Sequence, residues 1–166
     1  TMTNDPTAPY TGLVTNRLAG RSAVITGGAS GIGFATAQRL AHEGADVVIA
    51  DICDDVRGKE AADAVGGMFV RTDVTVEDDV KELFRATHEA HGSVDIAFNN
   101  AGISPADDAS ILETGIEAWR KVQEVNLTSV YYCCKHVIPY MQAQGRGSII
   151  NTASFVAVMG AATSQI

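Results

Sequence analysis

Several groups of residues in this sequence have types and spacings that can do chemistry. The run Val24-Ile25-Thr26-Gly27-Gly28-Ala29-Ser30-Gly31-Ile32-Gly33 joins a short apolar segment to a glycine turn and then to residues at helical spacing. Glycines in such a turn reach φ > 0 without strain and let a phosphate approach the backbone. The N–H groups of the helix start then point at that phosphate, with the helix dipole aligned behind them. Asp51 closes the next apolar run, where a carboxylate can accept both hydroxyls of an adenosine ribose and repel a 2′-phosphate. Ile52 rather than a cation follows it, and Ser30 rather than a cation sits in the glycine turn. Both choices favour NAD(H) over NADP(H). Asp73 closes a third run, and its carboxylate either accepts from an adenine amino group or caps the following helix. Ser154 follows a fifth run directly. It lacks the Gly-x-Ser-x-Gly surroundings of a hydrolase nucleophile, which argues against that chemistry.

Alternating strands and helices must position these groups. Apolar runs bounded by turn residues predict strands over Ser22–Thr26, Ala45–Ala50, Met68–Thr72, Val94–Phe98 and Ser148–Thr152. Between them, helical spacing predicts helices over Gly31–Glu43, with Gly44 as the residue that ends the first, then over Asp54–Val65 and Val76–His91. The longest pattern predicts one helix from Ile116 to about Gln144, kinked at Pro139. Its apolar stripe reads Trp119, Val122, Asn126, Val130, Cys133 and Val137, which places Asn126 among buried residues. A buried amide left unpaired costs about 1–3 kcal/mol, so Asn126 either pins neighbouring backbone or holds a water near a site. The fold class is therefore α/β, a doubly wound parallel sheet with helices on both faces. Its ligand crevice lies at the carboxyl ends of the strands, where the glycine turn, Asp51, Asp73 and Asn99–Gly102 converge.

Composition narrows the function classes. The 166 residues are 46% hydrophobic and 19% charged with a net charge of −8, an ordinary globular balance that argues against a nucleic-acid partner. No apolar stretch approaches a membrane span. Cys53, Cys133 and Cys134, with four scattered histidines, show no metal-binding spacing, and thiols without a disulfide pattern suit the cytoplasm. The division is residues 1–19 as a loose N-terminal tail and 20–166 as one nucleotide-binding domain.

The glycine turn Thr26–Gly33, Asp51, Asp73-Val74, Asn99-Asn100-Ala101-Gly102, Asn126 and Asn151-Thr152-Ala153-Ser154 follow the order and spacing of the short-chain dehydrogenase/reductase family. The chain resembles that family, and its 3-oxoacyl-carrier-protein reductases in particular, from about Gly20 onward. The resemblance implies a Rossmann-type fold, a homodimer or homotetramer, and hydride exchange between nicotinamide and an alcohol/ketone pair. It implies Gly27, Gly31 and Gly33 at the pyrophosphate, flanked by Ser30 and Ile32, with Asp51 and Ile52 at the ribose. It further implies Asp73 and Val74 at the adenine, and Asn99, Asn100, Ala101 and Gly102 supporting the sheet and the adenosine side of the cofactor. Ser154 would hydrogen-bond the substrate oxygen, and Asn126 would position a water in a proton relay. The family's proton-donating Tyr and the Lys that assists it normally follow the Ser, and Phe155–Ile166 contains neither. The expectation is thus a portion of a longer subunit, without the family's C-terminal strands and inactive by itself. A non-catalytic nucleotide-binding or dimerisation module stays open as the alternative.

Overall fold

The computed structural model describes residues 16–154. Strands and helices alternate as β1 (Ser22–Thr26), α1 (Gly31–His42), β2 (Asp46–Asp51), α2 (Asp55–Asp63), β3 (Met68–Arg71), α3 (Glu77–His91) and β4 (Ile96–Asn99). A long helical stretch follows, made of α4 (Ile116–Gln123), a π-helical segment (Glu124–Thr128) and α5 (Ser129–Ala143), before β5 (Ser148–Asn151). The five strands form one sheet in the order β3-β2-β1-β4-β5, with every neighbouring pair parallel.

The expected fold class is therefore the observed one, and the reason lies in the strand composition. All five residues of β1 are buried, because each face of the sheet carries helices. Val24 and Val48 pack with Val80, Leu83, Phe84 and Val137 of α3 and α5 on one face. Their neighbours Ala23, Ile25, Val47 and Ile49 pack with Ala37 and Ala61 of α1 and α2 on the other. A parallel sheet covered on both sides requires this continuous apolar run in place of alternation.

Helix ends follow expected rules. Asp54 caps α2 by accepting from the Arg57 N–H at 3.0 Å, and α3 carries Glu77, Asp78 and Asp79 in its first turn. Gly44 and Gly92 take positive φ just beyond α1 and α3. The Glu77 carboxyl, held below its usual range by hydrogen bonds from Lys135 and His136, ties α3 to α5.

Two expectations change. The single helix from Ile116 is interrupted by the π segment, so the helical phase slips partway along it. Residues 16–19, placed in the tail from sequence, are docked. The Leu18 N–H donates to the Glu43 carbonyl at 2.8 Å, and Arg17 pairs with the buried Glu43 carboxylate at 2.7 Å. The rest of the expected tail and the apolar segment after Ser154 lie outside the described residues.

Candidate nucleotide-binding site

The crossovers from β1 and β4 leave on opposite faces, so a crevice opens between these two strands at their carboxyl ends. It is a cleft of about 610 Å³, within the range of small-molecule sites. Of the residues proposed from sequence, Gly27, Ser30, Ile32, Asp51, Ile52, Asp73, Val74, Ala101 and Gly102 line it.

Hydrogen bonds fix the cleft floor. The Thr26 hydroxyl, at the end of β1, accepts the N–H groups of both Asn100 and Ala101 at 3.0 Å. Asn100 Nδ2 donates to the Thr26 carbonyl at 3.1 Å and to the Gly27 carbonyl at 3.4 Å. These contacts weld the glycine turn to the end of β4. Gly33 lies in the first turn of α1 against this weld. Gly31 stands at φ +55°, and a side chain there would meet nothing within 4 Å. Ser30 is the N-cap residue of α1, but its side chain makes no capping hydrogen bond, and the first turn holds no acidic residue. The positive end of α1 is thus left open toward the cleft, unlike the ends of α2 and α3.

Asp51 is fixed by two backbone donors, the Ala29 N–H on Oδ2 at 3.0 Å and the Cys53 N–H on Oδ1 at 3.1 Å. Each carboxylate oxygen keeps a further lone pair, and the arrangement joins the ribose-accepting candidate to the glycine turn. The Asp73 carboxylate is committed to its own loop. Its Oδ1 accepts from the Thr75 N–H at 2.9 Å and the Thr75 hydroxyl at 2.7 Å, a turn within the loop, so it does not cap α3, whose N-cap is Val76 with no side-chain hydrogen bond.

Two candidates are placed differently from expectation, while Asn99, which does not line the cleft, takes the sheet-supporting place expected of it. Its Nδ2 donates to Asn151 Oδ1 at 2.7 Å, so it braces β4 against β5. Its neighbour Asn100, the first residue after β4, borders the cleft instead, held there by the Thr26 and Gly27 carbonyls. Asn126 is exposed rather than buried, since the π segment turns it off the core-facing stripe. It clamps the residue after Gly102, with Oδ1 accepting the Ile103 N–H and Nδ2 donating to the Ile103 carbonyl, both at 2.8 Å. Ser154 is exposed beyond β5 at the same edge of the sheet and does not border the cleft. Sequence reasoning also missed Thr72, Ile103, Lys121 and Val125, which complete the walls.

Neither of two titratable thiols offers a nucleophile at neutral pH. Burial and the Asp51 carboxylate raise the Cys53 thiol, and burial pushes Cys133 up to about 12. No helix among the described residues is long and apolar enough to cross a membrane.

The geometry has counterparts in known proteins. The chain is 44% identical over 148 residues to cis-4-hydroxycyclohexanecarboxylate dehydrogenase of Sinomonas cyclohexanicum, covering 87% of this chain and 59% of that protein. It is 40% identical over 155 residues to secoisolariciresinol dehydrogenase of Forsythia intermedia, covering 92% and 56%. It superposes on the crystal structure of gox2181 with a TM-score of 0.83 at 31% identity, over 89% of this chain and 58% of that one. The chain thus spans less than two thirds of the length of these proteins. Residues 27–166 match the family model described as Enoyl-(Acyl carrier protein) reductase. With the parallel sheet, the glycine turn and its weld to β4, that match identifies the chain as a member of the short-chain dehydrogenase/reductase family.

Proposed function

We propose that this chain is the nucleotide-binding part of an NAD(H)-dependent oxidoreductase that exchanges hydride between nicotinamide and a secondary alcohol or its ketone. The observation that carries this reading is Asp51, a carboxylate held in the cleft wall by two backbone N–H groups and followed by the exposed Ile52. A carboxylate so oriented accepts ribose hydroxyls and repels a 2′-phosphate. In this reading Gly27, Gly31 and Gly33 shape the turn for the pyrophosphate at the open end of α1, with Ser30 and Ile32 beside it. Asp73 and Val74 border the adenine end, and Ala101 and Gly102 form the opposite wall. Bound nicotinamide supplies the hydride acceptor or donor. Ser154 hydrogen-bonds the substrate oxygen, and Asn126, by holding Ile103, positions backbone and water beside it.

The name of the Sinomonas relative makes ring-borne secondary alcohols the first substrates to assay, with 3-oxoacyl thioesters as the next class. The exposed Ile116, Trp119, Leu127 and Tyr131 along the α4–α5 stretch suit a homodimer or homotetramer. Three free thiols suit the cytoplasm.

Calorimetric titration of the full polypeptide with each cofactor tests the reading. Wild type binds NAD(H) more tightly than NADP(H). Asp51→Ala removes charge-assisted hydrogen bonds to the ribose, about 1.5–3 kcal/mol, so NAD(H) affinity falls roughly ten- to a hundredfold while discrimination against NADP(H) narrows. Equal affinity of the wild type for both cofactors would overturn the reading.

A further inference from the structure

We propose that Lys121 is the cation that draws the anionic dinucleotide into the cleft. The inference deepens the cofactor reading above and rests on it. Lys121 lies on α4 one turn before Val125, and both border the cleft. Among the described residues lining it, Lys121 is the one lysine or arginine, facing a lining whose two carboxylates are Asp51 and Asp73. The next-door Arg120 is already engaged, pairing with Glu117 at 3.2 Å, whereas no carboxylate among the described residues pairs with the Lys121 ammonium.

The charge balance favours such a group. A dinucleotide brings a doubly negative pyrophosphate to a chain of net charge −8, past two carboxylates in the cleft wall. The open end of α1 offers only about half a positive charge, and its influence fades within a turn. Lys121 adds a full charge on a flexible stem that can follow the ligand inward. A full charge at the border of the cleft changes affinity by about three- to tenfold, and ions in solution screen it beyond roughly 8–10 Å at physiological salt. The side chain lies on an exposed stretch of α4 and anchors no core contact, so its replacement leaves folding intact.

The test uses the full polypeptide and three probes: NADH, ADP, which keeps the pyrophosphate, and adenosine, which carries no charge. Binding is measured at about 0.01 M and about 1 M salt, where the Debye length is roughly 30 Å and roughly 3 Å. At low salt Lys121→Met weakens NADH and ADP about three- to tenfold and leaves adenosine unchanged, the difference from wild type closes at high salt, and Lys121→Arg restores both. The melting temperature stays that of wild type. Unchanged ADP affinity at low salt, or an equal loss for adenosine, would overturn the assignment while leaving the cofactor reading intact. A wild-type protein that binds neither NADH nor ADP would overturn both.

Discussion

Gly33→Ala is expected to abolish dinucleotide binding and to lower the melting temperature of the protein. A Cβ at Gly33 would penetrate the Gly27 carbonyl and lie 2.8 Å from Asn100 Nδ2. Both neighbours belong to the weld between the glycine turn and β4, so relief cannot come from swinging a flexible side-chain end. Either α1 retreats from the sheet or the turn opens, and each breaks hydrogen bonds on the cleft floor. Overpacking of this kind costs about 1–3 kcal/mol, and lost turn hydrogen bonds bring the total to about 3 kcal/mol or more. Gly31→Ala is the control. Its strain is the positive φ alone, about 1–2 kcal/mol, because a methyl there meets open space. Thermal melts and NADH titration of both variants check this. A Gly33→Ala protein that melts and binds like wild type would show that the turn is far softer than the weld implies.

The second large effect is expected at Asp95→Asn, at the opposite edge of the sheet. Asp95 is 4% exposed and accepts from Arg21 at 2.8 Å, Arg146 at 2.6 Å and the Ser93 hydroxyl at 2.6 Å. Its backbone also bridges strands, its N–H donating to the Ser22 carbonyl and its carbonyl accepting from the Ser148 N–H. Burial by itself would raise this carboxyl, but hydrogen bonds from Arg146, Ser93 and Arg21 outweigh it and hold the group well below the usual carboxylate range. An amide in its place loses the charge, and with its oxygen kept on the two guanidinium groups that share Oδ1, its NH2 replaces Oδ2 and faces the Ser22 N–H and the Ser93 hydroxyl. Both arginines are about half exposed, at 41% and 50%, so solvent screening reduces the loss to about 2–3 kcal/mol. That lowers the melting temperature by roughly 5–10 °C for a chain of this size.

The pH dependence has a definite sign. Because the folded-state pKa lies below the unfolded value, the stabilisation by Asp95 is complete above the unfolded carboxylate pKa near 4. It drains away as pH falls from there toward the folded value. The melting-temperature gap between wild type and Asp95→Asn should be widest near neutrality and shrink below about pH 4. A gap constant from neutrality down to about pH 2 would remove the charge from the explanation.

The sheet topology was legible because each of its rules is local. Five apolar runs separated by helical patterns, each run too short for a helix, leave few alternatives to a parallel sheet. The glycine turn and Asp51 were legible because their positions at strand ends follow from the same pattern. Other details were hidden for identifiable reasons. A strand buried on both faces has no polar alternation, so the sequence does not say whether Asn99 at the end of β4 or Asn100 just beyond it borders the cleft. The stripe along the long helix was read with a constant period, whereas the π segment inserts extra winding at Glu124–Thr128. The reading therefore holds for Cys133 and Val137 in α5 and fails upstream, where Ala118 is buried while Trp119 is 42% exposed. Lys121 belongs to no motif in the sequence, and only the folded placement of α4 beside Gly102 and Ile103 gives it a place in the cleft.

The strand order also bears on how the chain is made. β1 receives β2 on one side as soon as α1 and β2 have left the ribosome, but its other neighbour is β4. Until α2, β3 and α3 have also been synthesised, the backbone of Ala23, Val24 and Ile25 presents an unpaired apolar edge in the middle of the future sheet. Open edges of this kind recruit other strands, so the nascent chain is most exposed to misassociation during that interval. Insertion of β4 ends the exposure, and the same event brings Asn100 to Thr26, closing the edge and creating the ligand crevice together.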